Sequence, residues 1–354
     1  MRQCFSIGLF ALLVLSLPGC GGFRDTKPQL PGNLDTLCMP DYASGFEMYR
    51  YDSSTLLRIV NPWQGADSVS QWVFLSRDDE KPPKGFAGET IDVPARRIVC
   101  MSSSYVAFLE ALGADSTICA ISGTGYIWSD KVRSRIAKGE IAEAGFDNSL
   151  NFEKLVALNP DVVFLYGLTG KNAVTDKLHE LGLKTVYIGD YVENNPLGRA
   201  EWITVFGEFT GRRELASTLF DSISNEYNRA KALVSGVEKR PEVMLNAPWQ
   251  DSWFVPGDRS YMVRLLEDAG GNYACRGVDS DQSRPISTET AFVTASQSDF
   301  WLSPGTATSL AELNAVNPRF GSIPPVRNGN VYNNNARTTP EGGSDFWESG
   351  SAYP

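Results

Sequence analysis

Histidine is the residue type that most limits the chemistry open to this chain, because its 354 residues contain only one, His179. It lies in the polar stretch 176–180, which is typical of a solvated helix face. A His-rich metal cluster needs several histidines, and a Ser/His/Asp triad needs one that is held beside a serine and an aspartate. A single histidine on a solvated helix face fits neither arrangement. We therefore predict no catalytic site and no metal site, and a protein that binds a molecule without transforming it.

Aromatic and small polar residues follow several of the predicted strands, and ligands of open α/β sheets bind beyond the carboxyl ends of strands. Flat rings offer a large contact area at low entropic cost, which suits a bulky ligand such as a chelate or macrocycle. The candidate ligand contacts are Ser103, Tyr105, Tyr126, Trp128, Trp249 and Trp253. Arg337 is a candidate partner for an anionic ligand group. The alternatives are that the rings fill lobe cores and that Arg337 is a plain surface residue.

Two glutamates, Glu153 and Glu289, open helical stretches at matching places in the two halves of the chain. The helix dipole favours a carboxylate in a first helical turn, so either residue alone can be structural. As a pair they predict one exposed acidic knob per lobe. Such knobs can dock onto two arginine pockets of a two-fold symmetric partner through charge-assisted hydrogen bonds.

The elements that position these residues occur twice along the chain. Each half opens with a basic residue before an apolar strand, at residues 96–101 and 240–245. Alternating strands and helices predict βαβ units with a parallel sheet. We predict an α/β fold with two Rossmann-like α/β/α lobes, residues 96–195 and 237–354. Lobes of this kind face each other across a cleft, which is a preferred place for a ligand.

Residues 196–236 are predicted to be helices that bridge the two lobes. Thr210-Gly211 predicts a break between a first helix and a longer second one. In the longer helix, apolar residues recur every four positions and predict one buried stripe. They are Leu215, Leu219, Ile223 and Tyr227.

The N-terminus has the pattern of a bacterial lipoprotein. Residues 1–19 combine an early Arg2 with an apolar run too short to span a bilayer, which indicates a signal peptide. Cys20 follows a small residue, as in a lipobox, and is the predicted lipidation site, with residues 20–37 as a lipid-anchored tether. We expect a protein of the cell envelope, on the periplasmic side and held to the membrane by this anchor.

Between the tether and the first lobe, residues 38–95 alternate apolar and polar side chains and predict a small antiparallel sheet packed on that lobe. The formal net charge of −10 argues against nucleic acid as a partner. The cysteines beyond Cys20 have neither zinc-site spacing nor the density of a disulfide scaffold, so they predict buried thiols or at most one disulfide.

The segment Asn151–Val163, the sequence Ser287-Thr288-Glu289, the two lobes and the bridging helix resemble the helical-backbone class (class III) of periplasmic binding proteins. Residues 196–202 and the ending Asp345–Glu348 resemble its Bacteroidetes-type lipoprotein branch. The class delivers iron-siderophores, haem or cobalamin to ABC importers. The resemblance implies that Glu153 and Glu289 engage arginines of the permease dimer in the inner membrane. Residues 38–95 are not part of the family core.

The sequence thus predicts a monomeric, lipid-anchored substrate-binding protein without a cofactor, which holds an iron-siderophore-type chelate between its lobes. Cobalamin is the alternative ligand. A chelatase-like enzyme on a similar scaffold is an alternative from another class, which the single histidine disfavours. A further alternative is a surface lipoprotein that binds another protein through residues 38–95. Deletion of residues 38–95 distinguishes the two possibilities. If the lobes bind the ligand, the deletion should leave ligand affinity intact.

Overall fold

The computed structural model describes residues 35–146, 149–167, 173–249 and 252–354, with the side chain of Trp249 excepted. The predicted signal peptide, Cys20 and most of the tether lie outside the described residues. Four sheets organise the described chain, and two of them are the parallel sheets of two α/β lobes. The predicted fold class is confirmed.

The N-terminal segment forms a five-stranded sheet in chain order, antiparallel except for its last pair. Its strands are β1 Asp35–Cys38, β2 Phe46–Tyr51, β3 Ser54–Val60, β4 Ser70–Ser76 and β5 Glu89–Asp92. One face of this sheet carries Phe46, Leu57 and Val73 into the same hydrophobic core as Ile98 and Phe164 of the first lobe. The predicted sheet is confirmed, and it shares a core with the lobe.

The first lobe has a parallel sheet of order β10-β9-β6-β7-β8. Its strands are β6 Ile98–Cys100, β7 Ile118–Ile121, β8 Ala142–Glu143, β9 Val162–Leu165 and β10 Thr185–Tyr187. Its helices are α1 Ser103–Ala111, α2 Asp130–Ala137, α3 Phe152–Leu158 and α4 Ala173–Glu180. The chain runs outward from β6 to one edge and then from β9 to the other. Such a reversal opens a crevice at the carboxyl ends of the strands.

Three helices follow: α5 Pro196–Glu201, α6 Ile203–Thr210 and α7 Arg213–Leu233. The predicted break is confirmed, because Gly211 ends α6 in the left-handed region at φ 68°. The predicted stripe on α7 is wrong in part. Leu215 is 41% exposed, whereas Ala216 and Phe220 are buried. A spacing of four residues drifts by about 40° per step around a 3.6-residue helix, so packing against Gly207 of α6 sets which positions face inward.

The second lobe has a parallel sheet of order β14-β11-β16-β17 and a small antiparallel sheet of order β12-β13-β15. Its strands are β11 Glu242–Leu245, β12 Pro248–Trp249, β13 Ser252–Val255, β14 Asn272–Tyr273, β15 Arg284–Ser287, β16 Phe300–Leu302 and β17 Val331–Tyr332. Its helices are α8 Tyr261–Asp268, α9 Thr288–Ser296, α10 Leu310–Val316 and α11 Pro324–Arg327, and the short α12 Asp345–Ser349 follows. The rings of Trp253, Trp301 and Phe320 pack together at the centre of this lobe's core.

The last sixteen residues, 339–354, pack on the first lobe, which corrects the predicted extent of the second. Glu348 of α12 accepts hydrogen bonds from the backbone N–H groups of Trp128 (2.7 Å) and Ser129 (3.0 Å). Thr339 donates to the carbonyl of Gly125 (3.0 Å), and Ala352 is buried in the first lobe's core. The C-terminal strap, as we call residues 339–354, therefore connects the lobes a second time.

Buried carboxylates fasten the N-terminal segment to the bridging helices. Glu201 accepts the backbone N–H groups of residues 41, 42 and 43, each at 2.8 Å. Glu193 accepts those of Ser44 and Gly45 and the indole N–H of Trp202. Both side chains are almost fully buried. A buried carboxylate without partners is costly, so deletion of residues 38–95 would destabilise the first lobe and cannot separate the segment's role from the lobes' role.

Candidate ligand-binding cleft

A cavity of about 750 Å³ lies between the lobes, within the size range of small-molecule sites. The first lobe contributes residues 191–194, just beyond β10, and the bridging helix α5 contributes Arg199. The second lobe contributes Asn246 and residues 260–262 and 281–283. The loop 60–67 between β3 and β4 supplies a third wall. The cavity is thus bounded by both lobes and by the N-terminal segment.

Two aromatic residues on the first-lobe side are held in place by contacts behind them. Trp63 of the loop packs edge-on against Tyr187 at the end of β10, with ring centroids 5.1 Å apart. The phenol of Tyr191 donates to the carbonyl of Gly167, and its ring lies 4.3 Å from that of Tyr166. Because their positions are fixed before a ligand arrives, these rings lose little entropy on binding one.

Arg199 of α5 links the lobes at the cleft. Its guanidinium donates to the carbonyls of Asp190 (3.1 Å) and Tyr191 (3.3 Å) and lies 4.3 Å from the ring centre of Tyr261 in α8. A cation over an aromatic face is stabilising, by about 2 kcal/mol where water is excluded. Burial raises the pKa of the Asp190 carboxyl, and the charge of Arg199 opposes that rise. The guanidinium is therefore engaged within the protein.

Two of the predicted ligand contacts lie in lobe cores. Tyr105 is fully buried, and its hydroxyl donates to the carbonyls of Leu165 and Ile188 (3.2 Å each). Trp253 is also fully buried, and its indole donates to the carbonyl of Leu245 (3.1 Å). Neither residue has a surface that a ligand in the cleft could contact, so the core alternative describes both.

The other predicted contacts lie near the C-terminal strap. Ser103 is the first residue of α1 and is half-buried. Tyr126 is 46% exposed and packs edge-on against Phe146, while Trp128 is half-buried and bonded through its backbone to Glu348. Arg337 pairs with Asp345 at 2.5 Å. None of these residues lines the inter-lobe cavity.

For Trp249 the backbone lies in β12, and its side chain is outside the described part of the chain. The prediction that it contacts a ligand therefore stays a prediction. The same holds for Ser103, Tyr126, Trp128 and Arg337, none of which lines the cavity.

Glu153 and Glu289 occupy equivalent local positions. Each is the second residue of its helix, α3 or α9, and each follows a capping side chain by two residues. Asn151 caps the N–H of Lys154 at 3.0 Å, and Ser287 caps that of Thr290 at 3.1 Å. Both glutamates are exposed, and neither has an ion-pair partner among the described residues. The local geometry repeats across the lobes as the sequence repeat does.

None of the residues that line the cavity was predicted as a ligand contact from the sequence. Tyr191 follows the last strand of the first lobe, so the strand-end rule reaches it. Arg199 lies in the motif 196–202, and Trp347 lies in the motif Asp345–Glu348. Both motifs supported the resemblance to a family, but neither predicted a ligand contact. No feature of the sequence around Trp63 predicted that it reaches the cleft, because its loop belongs to the N-terminal segment, which precedes both lobes in the chain.

A two-lobed α/β protein with a preformed cavity between its lobes is a ligand-binding protein in architecture. Among the residues described, no three His, Cys, Asp or Glu side chains converge as a metal site would require. The family model described as "periplasmic binding protein" matches residues 98–338, more than half of the chain. The chain belongs to this family, whose members are substrate-binding proteins of the ABC-importer type and not enzymes. As predicted, residues 38–95 precede the matched region.

Two relatives named uncharacterized lipoproteins of Methanocaldococcus jannaschii are each 26% identical to this chain. One alignment covers 99% of this chain and 89% of the relative, and the other covers 87% and 78%. The assignment to a Bacteroidetes-type branch stays a prediction. The helices of the described residues include none with the length and apolar character needed to cross a membrane.

Solved structures of similar fold include the haem-binding protein HutB of Vibrio cholerae, at 17% identity and a TM-score of 0.57, covering 72% of this chain and 95% of that one. The vitamin B12-binding protein BtuF of Vibrio cholerae matches at 15% and 0.52, over 73% and 93%. The triscatecholate siderophore-binding protein FeuA of Bacillus subtilis, complexed with ferri-bacillibactin, matches at 15% and 0.55, over 78% and 95%. These likenesses establish the class III fold.

Proposed function

We propose that this protein is a lipid-anchored substrate-binding protein that carries an iron-siderophore-type metal chelate to an ABC permease. The observation that carries the proposal is the cleft of about 750 Å³ bounded by both lobes and by the loop 60–67. The chelate is the cargo, and the protein itself needs no cofactor.

The wall chemistry supports a bulky, partly apolar ligand. The rings of Trp63, Tyr191, Tyr261 and Trp347 all line the cavity. Between them stand amide and hydroxyl side chains that can orient polar groups of the ligand. A few placed polar groups among aromatic surfaces are the usual make-up of small-molecule sites.

Delivery to the permease rests on Glu153 and Glu289. Their exposed carboxylates, at equivalent positions of α3 and α9, suit two arginine pockets of a two-fold symmetric partner. Lipidation at Cys20 is supported by the lipobox-like sequence and by the lipoprotein names of the relatives. An anchor there would keep the protein beside the permease on the periplasmic side of the envelope.

Tryptophan-fluorescence titration against ferric siderophores, haem and cobalamin tests the binding proposal. We expect saturable quenching by a ferric siderophore, with affinity reduced by about tenfold or more in Trp63→Ala because an anchoring ring is lost. Tyr353→Ala is the control, since this exposed ring lies on the α7 side away from the cleft. Tight binding of cobalamin alone would move the ligand to the corrinoid class. Binding of none of these compounds would overturn the proposal.

Transport tests the docking. We expect Glu153→Lys with Glu289→Lys to abolish uptake while ligand affinity stays near that of the wild type. Asp130→Lys with Glu180→Lys reverses two exposed charges on other helices and should leave uptake intact. Equal uptake by both double variants would remove the docking assignment.

A further inference from the structure

We propose that the cleft selects chelates without net negative charge, so that a ferric trihydroxamate is bound in preference to a ferric triscatecholate. This inference rests on the proposed function and narrows the ligand within it. It is carried by the charged groups that line the cavity and by the partners that each already has.

Four charged side chains line the described walls: Asp67, Glu193, Arg199 and Asp281. Glu193 is buried and saturated by the N–H groups of Ser44, Gly45 and Trp202. Its carboxylate oxygens are therefore occupied by hydrogen bonds within the protein.

Arg199 is the one cation among these lining residues, and its guanidinium is committed to two backbone carbonyls and to the Tyr261 ring. An anionic ligand would have to compete with these contacts. Arg337, which the sequence proposed for such a ligand group, is paired with Asp345 and does not line the cavity.

Asp67 and Asp281 are exposed, and neither has an ion-pair partner among the described residues. Asp67 stands on the loop 60–67, and Asp281 stands on the second lobe before β15. The two carboxylates thus meet a ligand from two different walls. Asp67 and Asp281 are therefore the two charges on the described walls that a ligand meets without a protein partner, and a cleft lined by one sign of charge repels an anionic ligand.

The chemistry of ferric chelates makes this field selective. Three hydroxamates, each singly charged, neutralise the ferric ion, and a terminal amine makes such a chelate cationic. Three catecholates, each doubly charged, leave a triple negative charge. Asn61, Gln64, Asn194, Asn246, Ser260 and Gln282 also line the cavity and can hydrogen-bond the amide groups of a trihydroxamate without needing a charge.

The test is a set of equilibrium titrations of the full chain with ferrioxamine B, a cationic trihydroxamate, and with ferric enterobactin, an anionic triscatecholate. We expect ferrioxamine B to bind at least about tenfold more tightly, because like charges placed together disfavour the wrong ligand. Higher ionic strength should narrow the difference, since both aspartates are exposed to screening.

Asp67→Asn with Asp281→Asn should shift the preference by about tenfold towards the anionic chelate. Asp130→Asn with Asp176→Asn removes two exposed charges, on α2 and α4, that do not line the cavity, and should leave the preference unchanged. A preference of the wild type for ferric enterobactin, or an equal shift in both double variants, would overturn the inference and leave the proposed function standing. Binding of neither chelate would overturn both.

Discussion

The carboxylate of Glu208 joins three parts of the molecule, and its removal is the sharpest test of how the N-terminal segment is held. Glu208 lies in α6 and is 1% exposed. It accepts hydrogen bonds from the hydroxyl of Thr55 in β3 (2.8 Å) and from Arg77 after β4 (3.1 Å). It also pairs with Arg213 at the start of α7 through both carboxylate oxygens. We expect Glu208→Ala to lower the free energy of unfolding by about 3 kcal/mol.

The magnitude follows from what each partner loses. Breaking a buried ion pair from one side costs about 3–5 kcal/mol, because the remaining charge is left without compensation. Arg213 and Arg77 are 34% and 23% exposed, so both can regain some water, and the lower end of that range applies. The contacts to Arg213, Thr55 and Arg77 hold the pKa of Glu208 below its usual value despite the opposing effect of burial. The ionised form is thus favoured in the folded protein.

Urea denaturation followed by tryptophan fluorescence measures this loss. The control is Asp221→Ala, an exposed carboxylate on α7 whose removal should change the free energy of unfolding by no more than about 0.5 kcal/mol. Because the folded-state pKa is lowered, the contribution of Glu208 is present above the unfolded-state pKa and is lost as pH falls through the folded-state pKa. A loss below about 1 kcal/mol at pH 7 in Glu208→Ala would refute the reasoning.

Two further predictions concern the strap and the second lobe's core. Burial raises the pKa of Glu348 to about 7, so the folded state binds a proton more tightly than the unfolded state does. We therefore expect the free energy of unfolding to fall by at most about 3 kcal/mol as pH rises from about 4.5 to 7. Glu348→Gln should remove this slope in urea titrations at pH 5 and 8, and an unchanged slope would contradict the assignment. Trp253→Phe removes the hydrogen bond to Leu245 and should cost about 1–3 kcal/mol of stability with ligand affinity unchanged. Weaker binding without a loss of stability would instead identify Trp253 as a ligand contact.

The fold was predicted well from the sequence wherever the residues within a single strand or helix were enough to identify it. The strands of the first lobe and the break at Gly211 follow from apolar runs and from a glycine in the left-handed region. The orientation of α7 needed tertiary information, because the close contact between Gly207 and Ala216 decides which side faces the core. Local sequence patterns thus determine where helices and strands form, whereas packing determines which side of a helix faces the core.

The site was harder to predict because its walls are remote from one another in sequence. Trp63, Arg199, Asp281 and Trp347 reach one cavity from four separate stretches of the chain. The buried carboxylates were also unrecognised, although Glu201 and Glu208 lie seven residues apart on apolar helices. Glu201 is the last residue of α5 and Glu208 lies in α6, and a glutamate among apolar helix residues was in each case the available sign that a polar partner packs there.

The strap covers part of the sheet edge beyond β7, where Tyr126 and Trp128 are predicted to contact a ligand. The backbone at Gly343 comes so close to the carbonyl of Tyr126 that a Cβ there would lie 2.0 Å from it. Glu348 occupies the N–H groups of Trp128 and Ser129. A ligand therefore finds less free backbone beyond β7 than beyond β10, where the loop 60–67 stands. Trp347 of the strap and the loop 60–67 both lie outside residues 98–338, so parts of the chain beyond the matched region help to shape the cleft. Asp67 on that loop then acts on a ligand together with Asp281, which lies within the matched region.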